Sequence, residues 1–330
     1  MSNPTSYTVG WICALKEEFV AAISFLDERH ADLEEIAAGD SNSYQLGRMH
    51  DHNVVIALFP KGGKGLSLAT AVIKDMLRSF DNIRICLMVG IGGGVPTLHD
   101  IRLGDIVVST PGKKHGGVLQ YDVGSKRQGQ DLEWDGYLDQ PLLLLRSTAA
   151  KLEGLYDIDG HQLEKMVENS ILRHPNLVSY GRPDPESDRL YIPKFTHKSD
   201  VPGSCSIICG SDQTAMVSRP ERNAHNVHVH YGLIASGNQV IRDAIFRDRL
   251  GGEKDVLCFE MEAAGLMEQF PCLIIRGISD YCDSHKNDTW KKYAAMTAAA
   301  YARDLLRNIP PTKVENQVKL TEILGILSSR

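Results

Sequence analysis

Three short segments of this 330-residue chain hold side chains whose type and spacing could do chemistry. The first is the acidic pair Glu17-Glu18, just after the β-rich run Tyr7–Ala14. Acidic residues also favour helix N-termini through the dipole, so the pair alone leaves a structural role open. The second is Phe259-Glu-Met-Glu-Ala-Ala-Gly265, where two carboxylates flank a methionine. Alternate residues of an extended segment face opposite ways, so Glu260 and Glu262 would share one face and Met261 the other. A carboxylate accepts two hydroxyl hydrogen bonds and so suits a ribose diol, with a solvated helix start as the competing reading. The third is Ile274-Ile-Arg-Gly-Ile-Ser-Asp280-Tyr281, where an apolar run delivers Asp280 beside a glycine and a serine. Burial disfavours the charged form of a carboxyl, which suits a general acid, and a helix-capping aspartate is the alternative.

These segments need elements to position them. Tyr7–Ala14 reads as a strand and the stretch with Leu15, Phe19, Ala22 and Leu26 on one face as a helix. Val54–Phe59 is a second strand, followed by Lys61-Gly-Gly-Lys-Gly65 and a helix with Ser67 as its N-cap. Ile83–Val89 is a buried strand that ends in Gly90-Ile-Gly-Gly-Gly94, and Ile106–Ser109 is the next. After a Pro/Asp-rich interval with helices around Pro141–Leu155 and His161–Leu172, alternation resumes. Gly232–Ser236, Val256–Phe259 and Cys272–Ile278 read as strands, with helices around Gln239–Leu250 and Met261–Glu268 between them. Asp288 or Thr289 caps a last Ala-rich helix, Trp290–Arg307. Such alternation predicts an α/β fold: a single domain with a central mixed, mostly parallel sheet flanked by helices. Sites in such sheets lie at the carboxyl ends of strands, where all three acidic segments fall. The expected domain spans residues 1–310, with a large insertion at about 111–229. Residues 311–330 form an amphipathic tail with Leu320, Ile323, Leu324 and Leu327.

Composition narrows the partners. The net charge is -6 and the basic residues are scattered, which argues against nucleic acid. No apolar run reaches the roughly 18 residues that span a bilayer, and the N-terminus lacks signal-peptide character, so neither a membrane nor secretion is expected. Seven cysteines, an odd number with several inside apolar runs, fit a reducing, cytoplasmic setting. Cys205 and Cys209 could contribute to zinc, but no second pair sits at ligand spacing, and no metal ligand set is assigned. Lys61-Gly-Gly-Lys-Gly65 is not a Walker A loop, because Gly65 stands where Ser or Thr is required.

Six motifs in order resemble the nucleoside phosphorylase-I superfamily: Gly10–Phe19, Val89-Gly-Ile-Gly-Gly-Gly-Val-Pro96, Leu103-Gly-Asp-Ile-Val-Val-Ser109, Ser236-Gly-Asn238, Glu260-Met-Glu-Ala263 and Arg276-Gly-Ile-Ser-Asp280. The match covers roughly residues 7–110 and 230–307. The long interval between them, with His230-Tyr-Gly232 and Tyr281-Cys-Asp-Ser-His285, looks like the version at the N-termini of fungal NLR-like and ankyrin proteins. The resemblance implies that Asp280 protonates a purine N7, that Glu262 binds the ribose and that Met261 packs under the sugar. It places Gly92 and Gly93 beside the sugar, Val240 and Ile241 in the base pocket, and Asn238, with Glu260, among the substrate-binding residues.

Phosphorylases of this family carry a Gly-Asp-x-x-Arg-like segment after the first strand and an arginine before the Gly-rich turn. This chain has Ala14-Leu-Lys-Glu-Glu18 and Met88 there, so phosphate lacks its guanidinium partners. Ala14–Phe19 instead resembles methylthioadenosine/S-adenosylhomocysteine nucleosidases, which implies that Glu18 activates water. A base and an acid on either side of an oxocarbenium-like centre is the logic of inverting glycoside cleavage. The expected activity is therefore hydrolysis of a purine nucleoside, without cofactor, by a homodimer. A phosphorylase supplied by Lys61, Lys64, Arg84, Arg219 or Arg222, and a nucleoside-sensing module without chemistry, are the alternatives.

Overall fold

The first apolar run forms β1 (Val9–Cys13), buried throughout, and hands over to α1 (Lys16–Ser24). The structure, a computed structural model, describes residues 3–129, 132–134, 138–197, 205–210, 212–222 and 227–328. An antiparallel set follows, β2 (Glu28–Arg29), β3 (Ser43–Met49) and β4 (His52–Leu58), then α2 (Leu66–Ser79), β5 (Ile85–Gly94) and β6 (Ile106–Ser109). The next interval holds β7 (Val118–Gln120), β8 (Ser125–Lys126), β9 (Leu132–Glu133), α3 (Leu143–Asp159), α4 (Leu163–Arg173) and α5 (Cys205–Ile208). The chain continues through β10 (Val229–Ser236), α6 (Ala244–Lys254), β11 (Val256–Glu260), α7 (Ala263–Met267), β12 (Leu273–Asp280) and α8 (Lys291–Arg307). Two short helices follow, α9 (Pro311–Glu315) and α10 (Leu320–Ser328).

Among the described residues one ten-stranded sheet runs β11-β10-β6-β12-β5-β1-β4-β3-β2, with β7 beside β10. Parallel pairs join β1 to β4 and β5, β10 to β6, β7 and β11, and β12 to β5. The sheet is mixed because β12 meets β6, and β3 meets β2 and β4, antiparallel. One further antiparallel contact, Cys258 with Gly94 and Phe259 with Gly93, joins β11 to β5. It closes β11, β10, β6, β12 and β5 into a ring, and the carboxyl ends of β5, β11 and β12 therefore converge.

That closure corrects the reading of the Gly-rich segment as the end of its strand. Residues 90–94 stay in β5, paired with β12 as far as Gly93. They remain extended because glycine lets neighbours come close on both sides: a Cβ on Gly93 would overlap the Cys282 thiol and stand 2.8 Å from Asp280 Oδ1.

Helix starts also differ from expectation. The N-cap of α2 is Gly65, not Ser67. At α6 the Asp243 carboxylate accepts from the N–H groups of Ile245 and Phe246, so residues 239–243 form a loop instead of a first helical turn. Neither Asp288 nor Thr289 caps α8: Asp288 pairs with Lys291, the Thr289 N–H donates to Asn287, and Trp290 is the N-cap. The tail packs on the sheet layer, with Val314 and Leu320 buried and the Leu320 N–H donating to the Ile83 carbonyl. The side chains of Leu324 and Leu327 lie outside the described residues. Among the described residues no helix is long and apolar enough to cross a membrane.

Candidate active site

Glu18 sits in the first turn of α1, and its carboxylate folds back on the chain. Oε2 accepts from the N–H groups of Ala14 at 2.7 Å and Leu15 at 2.9 Å, and Oε1 from Ile91 at 2.9 Å. Burial, the largest influence, raises its pKa, while Arg276 and these backbone donors work the other way; the net direction is up. A carboxylate moved toward neutrality is suited to taking a proton.

Arg276, fully buried on β12, is the cation around which the acidic residues gather. It bonds Glu260, whose side chain is also 1% exposed, and lies 3.7 Å from Glu262. Its Nη2 also reaches Met88 Sδ at 3.2 Å, so the guanidinium beside Met88 comes from another strand. Burial works to lower its pKa, but Glu260, Glu262 and Glu18 more than offset this, so it stays charged. Gly90 makes the approach possible, since a Cβ there would overlap both Arg276 and the Glu18 carboxylate.

Glu260 and Glu262 do not share one extended face. The strand ends at Glu260 and Glu262 adopts φ -128°, ψ -32° as the N-cap of α7. Glu260 lines the cavity, but its oxygens are occupied by Arg276 and by the N–H groups of Glu262 at 3.1 Å and Ala263 at 3.0 Å. It is a positioning residue for Arg276 and the start of α7, because burial requires each of its lone pairs to find a donor. Glu262 accepts from the N–H of Met261 at 3.3 Å and from that of Gly65. Burial first, then the neighbouring Glu260, push its carboxyl up to about 7.

Asp280, at the end of β12 and 4% exposed, is surrounded by donors: the Cys282 N–H at 3.0 Å, the Ser279 hydroxyl at 3.0 Å and the Lys286 ammonium at 2.8 Å. The expectation for Asp280 rested on burial and omitted Lys286, six residues away in sequence and in ion-pair contact in space. For Lys286 itself burial works downward, but Asp280 and Cys282 outweigh it and hold the ammonium charged.

Glu18, Gly92, Gly93, Val240, Ile241, Glu260, Met261, Glu262 and Asp280 all line one cavity of about 320 Å³. Asn238 does not. Its side-chain oxygen accepts from the Leu66 N–H at 3.4 Å, while its own N–H donates to Asp122 at 2.7 Å, so it fastens a loop to the start of α2. The cavity also takes in Phe259, Arg242, Lys286 and Lys291, none of them assigned a site role from sequence, and Lys64, named there only as a possible phosphate partner. Phe259 had a detectable signal, an aromatic at a strand end beside two acids; the cations had none, being scattered over four segments. Of the basic residues considered as phosphate partners, Lys64 lines the cavity, whereas Arg84 bonds Asn82, Arg219 bonds Asp188, and Arg222 bonds Asp100 and Asp105.

Compared with solved structures, the chain superimposes on the 5′-methylthioadenosine/S-adenosylhomocysteine nucleosidase of Helicobacter pylori with a TM-score of 0.58 at 17% identity, covering 92% of this chain and 99% of that one. The chain thus has the fold of that nucleosidase. A nucleotide-binding leucine-rich repeat (NLR)-like protein of Hyaloscypha variabilis is 42% identical over 309 residues, which are 93% of this chain and 30% of that protein. The chain thus spans under a third of that relative's length. The ATP nucleosidase Cap17 of Escherichia coli is 37% identical over 91 residues, 26% of this chain and 18% of that protein. No protein-family model matches the chain.

Proposed function

We propose that this chain hydrolyses the N-glycosidic bond of a purine nucleoside, releasing free base and ribose. The observation that carries this reading is the placement of two carboxyls against one glycine-rich strand inside one cavity. Glu18 is anchored at Ile91 and Asp280 lies against Gly93. Two residues of strand separate those anchors by roughly 7 Å, room for a sugar and an attacking water. In the proposed step Glu18 takes a proton from water as its oxygen bonds C1′. The C1′–N9 bond breaks, its electron pair passes to the purine, and Asp280 delivers a proton to N7. Lys286 balances the carboxylate then left on Asp280, while Glu262 accepts the ribose hydroxyls and Met261 packs under the ring.

Hydrolysis is favoured over phosphorolysis because Arg276 is already engaged by carboxylates beside the place where phosphate would attack. The test is release of base from adenosine, inosine and guanosine with and without phosphate, identifying the sugar. Ribose formed without phosphate supports the reading; ribose 1-phosphate formed only with phosphate replaces it by a phosphorylase, and binding without release by a sensing module.

A second reading concerns the sugar's 5′ end. A plain nucleoside is uncharged there, yet Lys64, Arg242, Lys286 and Lys291 all line the cavity. Such a set suits a 5′-phosphorylated purine nucleoside, and a relative named as an ATP nucleosidase points the same way. Replacing Lys64 and Arg242 by alanine is then expected to lower kcat/KM for ATP by about tenfold or more while sparing adenosine. Equal effects on both substrates would refute that reading.

A further inference from the structure

The segment between β6 and β10 brings sulfur and nitrogen donors to one point away from the acidic cluster. The Nδ1 of His197 lies 3.2 Å from the Sγ of Cys209, and the donor atoms of His197, Cys205 and Cys209 all lie within 4.8 Å of one another. Cys205 opens α5 and Cys209 follows its last residue, a spacing of one helical turn that puts both thiols on one side. His197 reaches them from a separate stretch whose position is fixed by its N–H, donated to Ser284 Oγ at 2.8 Å. Ligands at bond lengths of ~2.3 Å for sulfur and ~2.0 Å for nitrogen around a tetrahedral ion stand roughly 3.5–3.8 Å apart, the scale of this cluster.

A fourth donor lies nearby, outside the group of three whose donor atoms stand within 4.8 Å of one another. His285 is 4% exposed, and neither of its ring nitrogens makes a hydrogen bond among the described residues. Buried polar atoms ordinarily have a partner, so an orphaned ring needs a reason. Its centroid is 5.9 Å from that of His197, and its Nδ1 is 3.6 Å from Asp283 Oδ2. A carboxylate behind one imidazole nitrogen, with the other turned to a metal, is the usual support of a metal-bound histidine. Stacking on Tyr191, 3.9 Å between centroids, holds the ring in place.

We propose that His197, Cys205, Cys209 and His285 form a binding site for a zinc-type divalent cation. Two thiolates and two imidazoles select a borderline-soft ion over magnesium or calcium, which take oxygen donors. Four protein ligands leave no open position, so the ion is structural. Binding converts two thiols to thiolates and releases two protons to solvent. Cys205 and His285 also line a second cavity, about 290 Å³, that shares Ser279, Asp280 and Lys286 with the acidic cavity. The ion would therefore pin the intervening segment to the loop after β12, which carries Lys286. This site does not depend on the reaction proposed above.

The test is elemental analysis of the full chain purified without chelator, with Co²⁺ titration of the metal-free protein. One zinc per chain is expected, together with a thiolate-to-cobalt charge-transfer band that zinc displaces. Zinc is also expected to protect Cys205 and Cys209 of the wild-type chain from alkylation, a readout that needs no variant to fold. The C205S/C209S protein should lose the band, and His285→Ala should weaken affinity by about tenfold or more. Three results would overturn the site: no thiolate band and no stoichiometric zinc in the wild-type chain, undiminished binding by C205S/C209S, or a Cys205–Cys209 disulfide in freshly purified protein. Unchanged cobalt affinity in His285→Ala would overturn the assignment of the fourth ligand.

Discussion

Two carboxyls in one cavity are held by different company, and their proposed roles follow from it. Glu18 accepts from three backbone N–H groups, whereas Asp280 is paired with a lysine. Asp280→Asn keeps the shape and several hydrogen bonds but has no proton to give, so it should abolish base release while nucleoside binding survives in a calorimetric titration. Normal turnover by that variant would remove Asp280 from the mechanism. Glu262 supplies a pH test. Its folded pKa of about 7 lies above its ordinary 4.5, so the stability it lends is full below 4.5 and is lost as pH rises through about 7, with a slope of at most ~1.4 kcal/mol per pH unit. In the role proposed for Glu262 the ionised form accepts two ribose hydroxyls, so KM should fall over the same range in which the melting temperature falls. Glu262→Gln should flatten both profiles; a wild-type KM that ignores pH between 5 and 8 would contradict the role.

At the scale of elements, β5 is where backbone and chemistry meet. Its glycines are valuable for what they lack, because the side chains of Glu18, Arg276, Asp280 and Cys282 approach where a Cβ would stand. Gly90→Ala should force Arg276 and Glu18 apart, costing about 1–3 kcal/mol by denaturant unfolding and suppressing base release with it. Gly252→Ala is the control. It lies within α6 with nothing within 4 Å of a new Cβ, and should be stabilising by roughly 0.5–1 kcal/mol. If both substitutions behaved alike, the packing account of β5 would be wrong.

Over the whole molecule, the segment between β6 and β10 is joined to the end of β12 by a polar network. Arg219 donates to the Tyr281 hydroxyl at 2.6 Å and pairs with Asp188 at 3.1 Å, while the same hydroxyl donates to Asp188 at 2.5 Å. Tyr281 adjoins Asp280, so the network supports the loop that carries the proposed acid. Arg219→Ala leaves Asp188 without its cation and should cost about 1–3 kcal/mol in thermal or denaturant unfolding. Because Arg219 lines neither cavity, kcat should drop with KM little changed; a loss confined to KM would place Arg219 in substrate binding instead.

What the sequence by itself determined is whatever depends on near neighbours along the chain. Short, near-continuous apolar runs marked β1, β6 and β11, Ala-rich periodicity marked α8, and the acidic residues at strand ends marked out Glu18, Glu262 and Asp280. Tertiary structure decided which charges meet. Arg276 lay in plain view inside an apolar run, but only the pairing of β12 with β5, and the closure of β5 onto β11, put it among Glu18, Glu260 and Glu262. The same closure kept residues 90–94 in a strand where local propensity indicates a turn, because backbone pairing on both sides outweighs the entropic cost of extended glycine. Lys286, Lys64 and Arg242 entered the cavity, and His197 met Cys205 and Cys209, for that reason too. Coulombic and ligand contacts depend on distance in space, and the chain order of remote residues does not contain it.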